Sequence, residues 1–326
     1  MRFPVLTRIL AGLALAVSLG AAVPAQDALD RASAIVVGGG QPFGLYYPAA
    51  GAVCYLYGRT GTTSRCLVDT YADSGEALQA LSDGSVDFAV VQSDWQQHAV
   101  KGTSRFRADG PDQGLRAVFS LHGEAVTLVV RRAAGIRAVP DLMDKQVDFG
   151  PDETYRSLFM DMILAAEGLE RDDLAGSSGL SLAAGLAKLC EGTLDAVSIV
   201  AAHANGAVAE AMARCDLEIL ALTGPAIDKL LRAGRGLSAI TIPAGLYQGQ
   251  DREVRTFGLR ATLVTRDSQP KDVVARIATS TMEGLSWLRG RHPAFASLEP
   301  KTMAVSGLSA PLHEGAAEVY REKGLR

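Results

Sequence analysis

Two stretches of this sequence, 108 residues apart, carry one pattern: LSDGSVDFAVV from Leu81 and LCEGTLDAVSI from Leu189. In each, an apolar-periodic helix (Ala77 to Leu81; Leu182 to Leu189) runs into a glycine suited to a left-handed C-terminal cap, Gly84 or Gly192. A short apolar strand follows Asp87 in one and Asp195 in the other. A second match supports the first. Ile35 to Val37 lead into Gly38, Gly39 and Gly40 and a helix from Tyr46 to Tyr57, while Gln146 to Phe149 lead into Gly150 and a helix from Thr154 to Ala166. Gly40 and Gly150 are 110 residues apart. Two matches at nearly one offset predict an α/β protein of two topologically equivalent βαβ lobes. The competing reading is a single large α/β sheet with one extra strand pair.

The rest of the chain fits the two-lobed plan. Ala125 to Arg131 and Thr256 to Thr265 are strongly apolar, extended stretches placed where a chain would cross between lobes. Two crossings bring the last helices, near Pro270 to Leu288 and Pro311 to Lys323, back to the first lobe. The expected division is residues 26–126 plus 256–326 in the first lobe and 127–255 in the second.

Residues 1–25 read as a secretory signal, with Arg2 and Arg8 ahead of the apolar run Ile9 to Ala22 and the small-residue cleavage site Val23, Pro24, Ala25. The run is 14 residues, short of the ~20 that a spanning helix needs. Cleavage would take the formal net charge from −4 to −6. A mildly acidic chain without runs of Lys and Arg argues against nucleic acid and anionic membrane surfaces as partners. Four cysteines fit an oxidising compartment. Of the three pairings, sequence neighbourhood favours Cys54 with Cys66 and Cys190 with Cys215, against a reading as four buried thiols. No Cys or His spacing resembles a zinc site, and no cofactor motif is present: the turn from Gly38 has Phe43 where a dinucleotide fingerprint needs its last glycine.

Open parallel sheets bind ligands just past the carboxyl ends of their strands, where helix N-termini offer unpaired N–H groups. In the first lobe that position carries Gly40, Gln41, Phe43 and Tyr46, joined by Gln92, Ser93 and Asp94 after the strand that begins beyond Asp87. Thr154, Tyr155 and Arg156 would face them from the second lobe, with His203 beyond the strand that begins at Asp195. Amides, hydroxyls and one guanidinium suit binding better than bond breaking. Arg156 is a candidate fork for a carboxylate, or a solvated residue of a first helical turn. His203 has the same two readings. No nucleophile elbow is present, and the acids flanking Gly84 and Gly192 have a cap-and-strand explanation, so an enzyme is the weaker class.

The runs GLYYPAAGAVC (44–54), SDGSVDFAVVQSDWQQHAVKG (82–102), LRAVFSLHGEAVTLVVR (115–131), TGPAIDKL (223–230), IPAGLYQG (242–249) and GLSAPLHEGAAEVYREKGL (307–325) resemble the TAXI family, the periplasmic solute-binding subunits of TRAP transporters. The resemblance spans nearly the whole mature chain. It implies a type II periplasmic-binding-protein fold, a Venus flytrap with two crossover strands. It further implies delivery of a small carboxylate or amino acid, glutamate-like or dicarboxylate, to the membrane subunits of a TRAP transporter. By position, Tyr46 falls at the family's YYP helix start, Gln92 at its QSD strand end, and Arg156 at the Arg after its second glycine turn. Two departures stand out. Gln41, Pro42 and Phe43 replace small residues, and Asp152 and Glu153 follow Pro151 where relatives keep glycine and serine. Two acids at a helix N-terminus either cap outward or meet a cationic group on the ligand. Partnership with a membrane signalling protein is the alternative role.

Overall fold

The computed structural model describes residues 34–42 and 44–326, so the export signal expected over residues 1–25, and Phe43, lie outside the described residues. The first half begins with strand β1 (Ala34–Gly39), whose Val36 and Val37 bury their side chains on opposite faces. Helix α1 (Tyr46–Gly58), β2 (Arg65–Thr70), α2 (Ser74–Ser82), β3 (Phe88–Gln92) and α3 (Ser93–Lys101) follow. Asp73 caps α2, its carboxylate accepting from the Glu76 amide at 2.9 Å. The 17-residue strand β4 (Leu115–Arg131) then leaves this half.

The second half repeats the order: β5 (Gln146–Asp148), α4 (Tyr155–Glu167), β6 (Gly176–Ser178), α5 (Leu182–Glu191), β7 (Ala196–Ala201) and α6 (Gly206–Arg214). Strand β8 (Leu217–Leu220), helix α7 (Pro225–Arg232) and β9 (Ser238–Ile242) complete it. Strand β10 (Val254–Arg266) returns the chain to α8 (Lys271–Glu283), α9 (Leu285–Arg289), α10 (Pro300–Val305) and α11 (Glu314–Glu322).

The strand order is β2-β1-β3-β10-β4 in the first half and β6-β5-β7-β4-β8 in the second, so each half holds three parallel strands and then an antiparallel long one. The long strands β4 and β10 pair with each other from Leu115↔Arg266 to Ala125↔Gly258. They join the halves into one continuous hydrogen-bonded ladder. The internal repeat is visible atom by atom. Asp87 accepts from the Val36 amide at 2.8 Å, and Asp195 accepts from the Gln146 amide at 2.9 Å, each carboxylate tying the first strand of its half to the third. Gly84 and Gly192 both take positive φ, 74° and 79°, at the ends of α2 and α5.

Helices cover both faces of each half. Phe88, Phe119 and Leu263 pack with α1, α8 and α11 on one face, and Leu78, Leu81 and Val91 fill the other. Phe149, Phe159 and Ile163 form one core of the second half, and Leu189, Val197 and Met212 the opposite one. The disulfides Cys54–Cys66 and Cys190–Cys215 have the pairing expected from the sequence. Two helix boundaries differ from expectation. The helix expected over Pro270 to Leu288 breaks at Gly284, where α1 approaches so closely that a β-carbon would meet the Leu56 side chain. The last helix starts at Glu314 rather than Pro311. Leu312 bridges to Ala117, and His313 Nδ1 caps the helix by accepting from the Gly315 amide at 3.1 Å.

Candidate functional site

The two halves meet where β3 ends, where β4 passes from one half to the other, and where α4 begins. Glu124 stands at this junction, in the middle of a largely apolar strand. Its carboxylate accepts from Gln92 Nε2 at 2.6 Å, and the buried hydroxyl of Tyr46, from the first turn of α1, lies beside it outside normal hydrogen-bond geometry. Asp94, in the first turn of α3, accepts from the Trp95 amide at 2.8 Å through Oδ1 and from the Tyr155 hydroxyl at 2.7 Å through Oδ2. Tyr155 belongs to the other half, so this bond crosses the seam. Beside it, Ser93 Oγ donates to the Gly236 carbonyl at 2.6 Å. Gly236 has φ 73°, and a β-carbon there would sit 2.6 Å from the Asp94 amide, so the contact requires glycine.

The electrostatics are one-sided. Burial pushes the carboxyls of both Asp94 and Glu124 above the usual range, and the negative charge of Asp94 raises Glu124 further. The hydroxyls of Tyr46 and Tyr155 are also raised, by burial first and then by these two acids. No Lys or Arg forms a salt bridge with Asp94 or Glu124 among the described residues. A cavity of about 470 Å³ opens beside the Asp94–Tyr155 bond, floored by Phe159 and Leu259, with the exposed Lys101 and Arg235 at its edge. Its size is within the range of small-molecule sites.

Tyr46, Gln92, Asp94 and Tyr155, singled out from sequence, therefore converge. The others are placed differently. Gly40 abuts the side chain of Tyr46. Gln41 is exposed and donates to the Tyr71 carbonyl at 3.3 Å. Thr154 bonds the Pro151 carbonyl at 2.6 Å. Arg156 turns into its own half, donating to the carbonyls of Ser198 (2.7 Å) and Leu180 (2.9 Å) and pairing with the fully buried Asp148. His203 contacts Thr127 Oγ1 at 2.9 Å and the Tyr247 hydroxyl, and burial lowers its pKa to about 4. Asp152 is exposed and lies 3.6 Å from Arg171, and Glu153 is exposed with φ 62°.

Sequence reasoning missed Glu124, His122 and Arg260. The available signal was the polar HGE triplet of residues 122–124 inside the apolar run of β4, since a strand buried on both sides has no ordinary reason to hold a His and a Glu. Among the described residues, no group of three His, Cys, Asp or Glu is placed to hold a metal ion.

The model of the NMT1-like family matches residues 37–324. The chain belongs to the NMT1-like family. Its fold is shared with a TctC solute binding protein from Polaromonas, at a TM-score of 0.55 and 14% identity over 90% of this chain and 96% of that one. The periplasmic aliphatic sulphonate binding protein SsuA from Escherichia coli is a more distant likeness, with 16% identity over 90% of this chain and 88% of that one, at a TM-score of 0.45. This NMT1-like chain thus has the two-lobed binding-protein fold, and its seam residues occupy the junction of the two halves.

Proposed function

We propose that the protein is an extracytoplasmic solute-binding receptor that closes on a small carboxylate or amino acid and delivers it to the membrane subunits of a TRAP transporter. The observation that carries the reading is the seam itself. Two partly buried carboxylates, Asp94 and Glu124, stand without a cation partner at the junction of two lobes, and a cavity opens beside Asp94. Acids held this way favour a ligand that brings a positive charge. With Lys101 and Arg235 at the cavity edge, a zwitterionic amino acid fits better than a bare dicarboxylate. The ammonium group would meet Asp94, and the carboxylate would face the basic edge.

Membership of the NMT1-like family and the fold shared with a TctC solute binding protein support the receptor role. The TAXI-like sequence runs support the TRAP assignment. Two disulfides and the export signal read over residues 1–25 support a periplasmic location. The role is non-catalytic, with the seam binding its solute unchanged.

The test is calorimetry and thermal shift on protein unfolded, stripped of ligand and refolded, against a library of amino acids and organic acids. A ligand that binds only the native state raises its stability by mass action. An amino acid is expected to bind more tightly than the dicarboxylate of equal length. A library without any binder tighter than millimolar overturns the reading. Transport of the identified solute by reconstituted TRAP membrane subunits, dependent on added receptor and an ion gradient, tests the partner.

A further inference from the structure

A second cavity, of about 460 Å³, opens on the other side of the crossover strands. Leu259 lines the first cavity and Arg260 lines the second, and consecutive residues of a strand face opposite sides. The walls come from both halves, with Ser297 and Thr302 from the first and His203 and Ile240 from the second.

Two groups in this cavity have unspent hydrogen-bonding capacity. Arg260 donates from Nη1 to the Leu121 carbonyl at 3.1 Å, but its buried Nε has no partner and no carboxylate pairs with it among the described residues. The two acids lining the cavity are otherwise placed: Glu299 pairs with Arg289 at 2.7 Å, and Glu253 is exposed. His122 is 1% exposed, and neither of its ring nitrogens has a partner. Burial, with the positive charges of His292 and Arg260 as lesser causes, lowers its pKa to about 3, so it is neutral and offers one donor and one acceptor. Its ring meets Tyr46 edge-on at 5.6 Å, which places the cavity next to the seam.

A buried guanidinium without a counter-ion, beside an unsatisfied imidazole in a cavity of small-molecule size, is completed by a planar anion that accepts from both. We propose that this cavity is a carboxylate-binding subsite, with Arg260 as the charged fork and His122 as the neutral hydrogen-bond partner. It is separate from the Asp94–Tyr155 seam and goes beyond the receptor reading, which stands or falls on its own test. Because both halves line it, a carboxylate bound there adds contacts that hold the lobes together.

The test is a titration of the mature, folded protein, isotopically labelled at histidine, with succinate and with its uncharged diamide, followed by NMR at the His122 ring. A His122→Asn variant assigns the signal. Succinate is expected to move the His122 resonance saturably and the diamide to leave it in place. Arg260→Gln is expected to weaken the succinate response at least tenfold, and Arg260→Lys, which keeps the charge but not the fork, to weaken it less. If Arg260→Gln does not fold, Arg260→Lys against wild type carries the comparison. An unmoved His122 at tens of millimolar succinate, an equal response to the diamide, or an unchanged affinity in a folded Arg260 variant overturns the proposal.

Discussion

The hydroxyl of Tyr155, on the first residue of α4, donates a 2.7 Å hydrogen bond to Asp94 Oδ2 in the first turn of α3, and so ties one lobe to the other at the mouth of the cavity. A bond of this kind, to a carboxylate, contributes about 1.5 to 3 kcal/mol. Tyr155→Phe removes it and leaves the carboxylate without that donor. The variant should keep its far-ultraviolet circular dichroism but show a larger radius of gyration in small-angle scattering, because this arrangement of the halves loses a contact that joins them. An unchanged radius would mean that the bond does not hold the lobes.

Arg156 gives the opposite expectation. It pairs with Asp148, which is fully buried, and donates to two carbonyls of its own half. Removing one partner of a buried pair costs about 3 to 5 kcal/mol, because an uncompensated charge is left behind. Arg156→Ala should therefore lower the urea midpoint strongly. A folded variant that loses little stability but most of its solute affinity would instead place Arg156 on the ligand.

The seam acids predict a pH dependence of stability. Burial raises the carboxyls of Asp94 and Glu124 in the folded protein. A carboxyl with a higher pKa folded than unfolded binds protons more tightly in the native state, so its stabilising contribution is present below about pH 4 and is lost as pH rises through the raised native value. Glu124→Gln should flatten this part of the profile in denaturant titrations across that range. Binding of an ammonium-bearing solute should lower both pKa values and release protons, which calorimetry in buffers of different ionisation enthalpy would detect; proton uptake would argue for a carboxylate at the seam.

Each disulfide closes a short loop, with sequence separations of 12 and 25. In the chain-entropy description such loops are worth about 3 kcal/mol apiece. Replacing both cysteines of either pair by serine should lower stability by about that amount, measured by urea denaturation, and reducing agent should destabilise wild type but not the variant lacking both pairs.

The repeat in the sequence was enough to place the first and third strands of each half and the caps between them, and sequence neighbourhood was enough to pair the cysteines. Helix caps and strand alternation are local, and residues such as Gly84 and Gly192, or Asp87 and Asp195, mark the same positions twice. The first-lobe edge of the candidate site was legible for the same reason: Tyr46, Gln92 and Asp94 sit at element ends, which sequence can place.

Only the tertiary structure decided what those residues meet. Glu124 lies opposite Leu259 and Arg260 opposite Gly123 on the adjoining strands β4 and β10, and neither forms a salt bridge among the described residues, a property no local pattern records. Arg156 shows the converse. Its place at the start of a helix left a ligand clamp and a solvated residue both open, and the structure answers with Asp148, Leu180 and Ser198, which the fold brings to it. Local chemistry is written in the order of the chain, whereas the balance of charge in a cleft is set by residues that come together only when the chain is folded.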